Sequence, residues 1–168
     1  PALVMRAGLG SPGLGREAGL EIPLRPQRGQ VLVTERLAPL LPLPSSGLRQ
    51  TRDGTVMIGA TNEEKGFDTS TTTAAAAGLS AKTIRIVPAL KDATLVRHWA
   101  GLRIMTPDSY PIYAQSEAHP GAFVALCHSG VTLAAVHATV VADAIAAGAL
   151  PASLDVFHQR RFDVPKAA

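Results

Sequence analysis

The chain of 168 residues is long enough for one domain with a real core, or for a piece of a larger one. Apolar residues make up 46% of it and charged residues 17%, a balance that favours a buried interior over disorder. The net charge of +3 comes from scattered rather than clustered Lys and Arg, so nucleic acid is not expected as a partner.

A single cysteine, Cys127, rules out an intramolecular disulfide framework and fits a reducing compartment, so a cytoplasmic location is expected. The longest apolar candidate, Val131–Ala149, is interrupted by Thr132, His137, Thr139, Asp143 and Gly148, and no membrane span is expected. The first residues lack the basic-then-apolar pattern of a secretory signal, and a first residue other than methionine reads as a processed or incomplete chain.

In chain order, Ala2–Met5 is a short apolar run read as a buried strand. It gives way to Ala7-Gly8-Leu9-Gly10-Ser11-Pro12-Gly13, a tight turn whose glycines permit positive φ and close approach of a backbone or a ligand. The spacing is not the Gly-x-Gly-x-x-Gly of a dinucleotide loop with its helix, and an ordinary loop is the alternative. Arg25-Pro26-Gln27-Arg28-Gly29 leads into Gln30–Glu35, whose β-branched residues predict a strand. Pro39–Gly47, with three prolines and two serines, predicts an irregular loop or lid. Leu48–Thr51 and Thr55–Ala60 flank Arg52-Asp53-Gly54, a hairpin signal.

A helix follows over about Thr71–Val87, capped by Asp68 or Ser70 and stopped by Pro88. Leu95–Arg103 predicts a strand broken at Gly101, and the prolines of Met105–Pro111 fix a turn before the short strand Ile112–Ala114. His119-Pro120-Gly121 turns the chain into the strand Ala122–Leu126. The nearly uncharged Leu133–Ala147 is a helix ended by Gly148 and Pro151, and a short final helix near Ser153–Arg160 leads to a polar tail. The fold class is α+β, with a mostly antiparallel sheet and about three helices.

Between Ala122–Leu126 and Leu133–Ala147 lies Cys127-His128-Ser129-Gly130-Val131-Thr132, a strand–turn–helix junction. Such a junction points unpaired backbone N–H groups and the positive end of a helix dipole at whatever sits above it. A phosphate, a carboxylate or an electron-rich carbonyl of a cofactor suits that place. The alternative is a buried packing helix with an ordinary capped start.

Cys127 and His128 are neighbours whose side chains point to opposite faces, which suits Cys–His proton transfer poorly, and no catalytic residue is assigned. His98, His119, His128, His137 and His158 lack the paired spacing of a metal site, and His137 reads as a packing histidine. Arg103 follows Gly101 and precedes a proline-fixed turn. A guanidinium so placed can grip a planar carboxylate with two parallel bonds; a surface or salt-bridged arginine is the alternative.

Four segments together carry a family resemblance. They are Leu3-Val4-Met5-Arg6-Ala7-Gly8-Leu9-Gly10-Ser11; Pro26-Gln27-Arg28-Gly29-Gln30-Val31; Trp99-Ala100-Gly101-Leu102-Arg103 with Thr106-Pro107-Asp108; and His128-Ser129-Gly130-Val131-Thr132-Leu133-Ala134. In this order they resemble the C-terminal half of the D-amino-acid oxidase-like family of FAD-dependent oxidoreductases. That family includes glycine and sarcosine oxidases, D-amino-acid dehydrogenases, and the flavin subunits of opine and hydroxyproline dehydrogenases.

The resemblance implies that residues 1–24 end an FAD-binding domain, 25–100 form an antiparallel substrate domain, and 101–168 return to the FAD-binding domain. It implies a substrate-carboxylate role for Arg103 and cofactor contacts at Gly8, Ser11, Gly101, Leu102, His128, Ser129, Gly130, Val131 and Thr132. The implied reaction oxidises the C–N bond of an amino acid or secondary amine to an imine, which water hydrolyses.

Ile104 stands where the family has proline, Ser109 where glycine is frequent, and Cys127 where glycine often precedes the histidine. Gly101 stands at about the position of the cysteine that binds flavin covalently in some sarcosine oxidases, so the implied FAD is non-covalent. The family's N-terminal Gly-x-Gly-x-x-Gly half is absent from these residues, and FAD binding is expected to require it, with further partner subunits in some relatives. The alternative is a non-catalytic interaction module that has kept the fold and lost the cofactor.

Overall fold

The computed structural model describes residues 1–45 and 47–163; Ser46 of the expected loop and most of the expected polar tail lie outside them. The chain forms two compact units, Pro26–Arg103 and, separately, Pro1–Arg25 with the chain from Ile104 onward.

The Pro26–Arg103 unit is built on a sheet of four strands. These are β2 (Arg25–Arg36), β3 (Leu48–Gln50), β4 (Thr55–Gly59) and β5 (Leu95–Met105), in the order β3-β4-β2-β5. β4 pairs antiparallel with both β2 and β3. The alternation expected of a strand with one buried face is plain in β2, where Leu32 and Thr34 are buried and Val31 and Val33 half-buried. The β3–β4 hairpin turns through Gly54, whose φ of +93° only glycine adopts freely. Leu32, Leu48, Val56, Ile58 and Leu90 form the core, with Ala76 and Leu79 of α2 (Thr73–Ile86) packed on it.

Two expectations need correction here. The α2 cap is Thr72, whose hydroxyl accepts from Ala75 N–H, rather than Asp68 or Ser70. Asp68 is occupied elsewhere, by Arg28 and by the Ser70 N–H. β5 runs through Gly101 without a break, because a glycine weakens a strand without removing a ladder donor.

The other unit holds a three-stranded sheet, β1 (Leu3–Met5), β7 (Ala122–Leu126) and β6 (Ile112–Gln115), in the order β1-β7-β6. β7 pairs parallel with β1 and antiparallel with β6. Met5, Leu20, Ile22, Ile112, Val124 and Leu126 fill one side of it. Tyr113, Ala125, Val141 and Leu154 form a second cluster. β7 is buried at every residue, whereas Leu3 and Val4 of β1 are 61% and 40% exposed. Depressions of about 800 and 770 Å³ open along β1.

The glycine turn was expected to be only a turn, but it becomes a short 3₁₀ turn and a helix, α1 (Ser11–Glu17), with Pro12 in its first turn. After β7 a helical run comprises α3 (Ala134–Val136), a wide π turn (His137–Val141) and α4 (Ala142–Ala147). Gly148 ends it in the left-handed region, as expected. The single final helix is instead two 3₁₀ turns, Ala152–Phe157 and Gln159–Phe162. Among the described residues no single helix is long and apolar enough to cross a membrane.

Candidate functional site

In the four-stranded sheet, Leu32 lies opposite Ile58, and both point into the core beneath α2. Alternation sends Val31, Val33 and Met57 to the other face, where they are half-buried. On this half-buried face Val31, Met57 and Gly59 line a depression of about 290 Å³ with Pro44, Ser45 and Gly47. The proline-rich loop meets the sheet there.

Gly29 belongs to the same face as Val31, two residues on, and over it lies the guanidinium of Arg103. Arg103 is half-buried, and its Nη1 donates to the Thr61 carbonyl at 3.0 Å. That is its one hydrogen bond among the described residues, and no carboxylate there forms an ion pair with it. Gly101 sits two residues before Arg103 in the same strand, with the Trp99 ring 3.5 Å from where a Cβ would stand; Leu102 is half-buried.

Behind β2 lies a polar network that sequence reasoning missed. Arg28 is 2% exposed and donates through Nη2 to Glu63 (2.7 Å) and through Nη1 to Asp68 (2.6 Å) and the Ser70 carbonyl (3.0 Å). Glu63 also accepts from the Thr61 hydroxyl at 2.5 Å and from Gln30 Nε2 at 2.8 Å. Gln30 in turn accepts from Thr72 N–H, and its Oε1 lies 2.9 Å from His98 Nε2. The Thr61 hydroxyl, then Arg28 and Gln30, hold the Glu63 carboxyl down at about 2. Nothing local in the sequence signals it, because Arg28 and Gln30 meet Thr61, Glu63, Asp68 and Thr72 only once the chain has folded.

In the other unit Gly8 takes a φ of +59°, and Ser11 is wholly buried with its hydroxyl unpartnered among the described residues. The turn His128–Thr132 is open to solvent: Val131 is 94% exposed, and His128 and Thr132 are exposed too. The first N–H groups to be used are those of Leu133, which donates to Ser129 O, and Ala134, which donates to Val131 O. Among the described residues the N–H groups of Gly130, Val131 and Thr132 donate to nothing. The helix start itself is exposed, while further along Val141 is buried and Ile145 packs on the Tyr113 cluster.

Ser129 Oγ and His128 Nδ1 stand 2.9 Å apart, and burial pushes the neighbouring Cys127 thiol up. His137 is half-buried against the Tyr113 hydroxyl at 2.8 Å, and burial pushes it down. No group of three or more His, Cys, Asp or Glu suited to a metal ion occurs among the described residues.

Comparison with known proteins sets these features in a family. An opine oxidase subunit of Rhizobium meliloti is 46% identical over 165 residues, covering 98% of this chain and 44% of that protein. The structure of glycine oxidase from Geobacillus kaustophilus matches with a TM-score of 0.83 at 26% identity, covering 94% of this chain and 44% of that one. L-proline dehydrogenase from P. horikoshii matches with a TM-score of 0.84 at 25% identity, covering 96% and 47%. The chain thus spans less than half the length of these relatives. The sequence model of the FAD dependent oxidoreductase family (DAO) matches residues 1–144. The chain belongs to that family.

Proposed function

We propose that this chain supplies the substrate sheet and a flavin-contacting turn of an FAD-dependent enzyme that oxidises the C–N bond of an amino acid or secondary-amine carboxylate to an imine. Water then hydrolyses the imine. The observation that carries the proposal is Arg103, a half-buried guanidinium with one carbonyl partner and no carboxylate among the described residues, on the face of its sheet away from α2. Its remaining N–H donors suit a substrate carboxylate, and gripping that group fixes where the adjacent C–N bond lies. Val31, Met57 and the Pro44–Ser45 stretch would line the substrate's other side.

Bound FAD supplies the acceptor for the hydride that such an oxidation removes. The residues fit a non-covalent FAD: among the described residues the buried hydroxyl of Ser11 lacks a partner, and the N–H groups of Gly130, Val131 and Thr132 are unused. Donors fixed at the turn stabilise negative charge without reorganising. Gly8, whose positive φ brings backbone close, would lie along the cofactor, with Gly101 and Leu102 near ring and substrate.

In this reading the unit holding β1, β6 and β7 is part of an FAD-binding domain, and the unit holding the four-stranded sheet is the substrate domain. The FAD site is completed by an upstream dinucleotide-binding half. Its support is β1, a parallel strand with exposed apolar side chains, whereas parallel sheets are covered on both faces. The opine oxidase relative is by name one subunit among others, and we extend partner subunits to this protein. The single cysteine accords with a cytoplasmic location, which belongs to the proposal.

The test is made on the chain joined to its upstream half. That protein should carry FAD, and Arg103→Ala should weaken binding of carboxylate substrates by roughly 30- to 100-fold, the loss of a charge-assisted pair. Unchanged binding would remove Arg103 from the site. A joined protein without FAD would point to an interaction module instead. Stoichiometric flavin on these 168 residues alone would show that no upstream half is needed.

A further inference from the structure

Gly29 stands within β2, where a glycine has no conformational reason to be. Its φ is an ordinary one, unlike the positive φ of Gly47 or Gly54. A glycine inside a strand lowers stability by roughly 0.5–1 kcal/mol relative to alanine. What Gly29 provides is space. A Cβ there would stand 2.6 Å from Arg103 Nη1, 2.8 Å from Nη2 and 2.9 Å from Cζ. Both terminal nitrogens stand nearer than Cζ, so the Nη1–Nη2 edge of the guanidinium occupies the space of the missing side chain.

The second constraint is Thr61. Its carbonyl accepts from Arg103 Nη1 at 3.0 Å, so its own placement sets the rotation of the guanidinium in its plane. Thr61 is held at every other polar atom: its N–H donates to Gln30 O, and its hydroxyl accepts from Gln30 N–H at 2.9 Å and donates to Glu63 at 2.5 Å. Glu63 is fixed in turn by buried Arg28 and by Gln30. The buried network behind β2 therefore ends at the carbonyl that Arg103 touches.

We infer that Gly29 is a positioning residue whose absent side chain seats the Nη1–Nη2 edge of the Arg103 guanidinium against β2, with the Thr61 carbonyl, clamped by Gln30 and Glu63, fixing its orientation. Its bearing on substrate binding rests on the proposal that Arg103 holds the substrate carboxylate. The atoms a methyl at residue 29 would meet are the far end of a flexible side chain, not backbone. Gly29→Ala therefore displaces Arg103 and leaves the sheet intact.

The experiment uses the FAD-loaded protein joined to its upstream half, with two readouts. Crystal structures of the parent and of Gly29→Ala should show the guanidinium shifted by about 1 Å or more with its Thr61 bond broken. A guanidinium unmoved at residue 29, with its Thr61 bond intact, overturns the inference, whatever the substrate. Titration of the flavin spectrum with anthranilate, and with aniline as the same ring without the carboxylate, reads the functional side. Gly29→Ala should weaken anthranilate by about ten-fold, in line with a misplacement of this size, and leave aniline within two-fold.

In an Arg103→Ala background the same substitution should change anthranilate by less than two-fold. A general loosening of the sheet would lower both ligands in both backgrounds and overturn the positioning role. Arg103→Ala leaving anthranilate unchanged, or anthranilate failing to perturb the parent, sinks the carboxylate reading instead, and the crystallographic readout still decides the seat. Thr61→Val, which keeps the carbonyl and removes its clamp, should weaken anthranilate in the same direction by a smaller factor. No change from Thr61→Val would remove Thr61 from the inference.

Discussion

Glu63→Gln puts the network behind β2 to a quantitative test. The carboxylate accepts from three donors, with Arg28 Nη2 on one oxygen and the Thr61 hydroxyl and Gln30 Nε2 on the other. A glutamine amide has one oxygen. Whichever way it flips, its NH₂ faces either Arg28 or Gln30, donor against donor. Breaking a fully buried pair costs about 3–5 kcal/mol. Glu63 is 21% exposed, so solvent screens part of the loss, and about 2 kcal/mol is the expected destabilisation.

Trp99 is the only tryptophan in the chain and belongs to β5, so its fluorescence in urea reports on this unit. The midpoint should fall with the slope unchanged. The pH dependence has a definite sign. The Glu63 carboxyl is pushed down to about 2 from an ordinary 4.5, so its stabilisation is present above the unfolded value and lost as pH falls toward 2. The gap between parent and variant should therefore be wide at pH 6 and close between about pH 4.5 and 2. A loss under about 0.5 kcal/mol, or a gap indifferent to pH, would refute the account.

Other consequences can be checked separately. Asp108→Asn removes the charge that Arg161 grips with Nε at 2.7 Å and Nη2 at 3.0 Å. Both groups are partly exposed, so the expected loss is about 1–2 kcal/mol, read from the near-ultraviolet circular dichroism of Tyr110 and Tyr113. Arg161 chiefly holds the Asp108 carboxyl at about 2, so acidification toward that value should erase the difference. Thr72→Ala should cost about 1 kcal/mol and release the Ala75 amide to faster hydrogen exchange; an unchanged Ala75 would put the cap elsewhere. Ser11→Ala should be neutral or stabilising by up to about 1 kcal/mol in this chain, because it deletes a buried hydroxyl without a partner among the described residues. In the FAD-loaded longer protein the same change should weaken flavin retention, and unaltered retention would take Ser11 out of the cofactor site.

Local patterns were legible wherever local physics decided them. The β-branched run of β2, the Asp53-Gly54 hairpin and the Gly148 stop could each be read from a few neighbouring residues. Where two local signals competed, reading failed. Gly8, Gly10, Gly13 and Gly15 masked α1, although Pro12 in its first turn was the sign of a helix start. Asp68 and Ser70 were the caps expected for α2, but Thr72 takes that place, and Asp68 is drawn to Arg28, 40 residues away in sequence. Arg103 could be picked out as a carboxylate-gripping residue, but its seat could not. The seat is made by Gly29 and Thr61, and their relation to Arg103 exists only once the strands are paired.

The wide turn at His137–Val141 has a consequence for chain length. A wide turn is a helix carrying one residue more than an α turn needs, and the flanks already sit where they would without it. Removing a residue there would close the turn and leave Ile145 on the side of Tyr113 and Leu154. Removing one from Ala134–Val136 or from residues 142–144 would swing everything beyond it by about 100° and take Ile145 off that cluster. Within this helical run, a one-residue deletion is tolerated at the wide turn and destructive on either side of it.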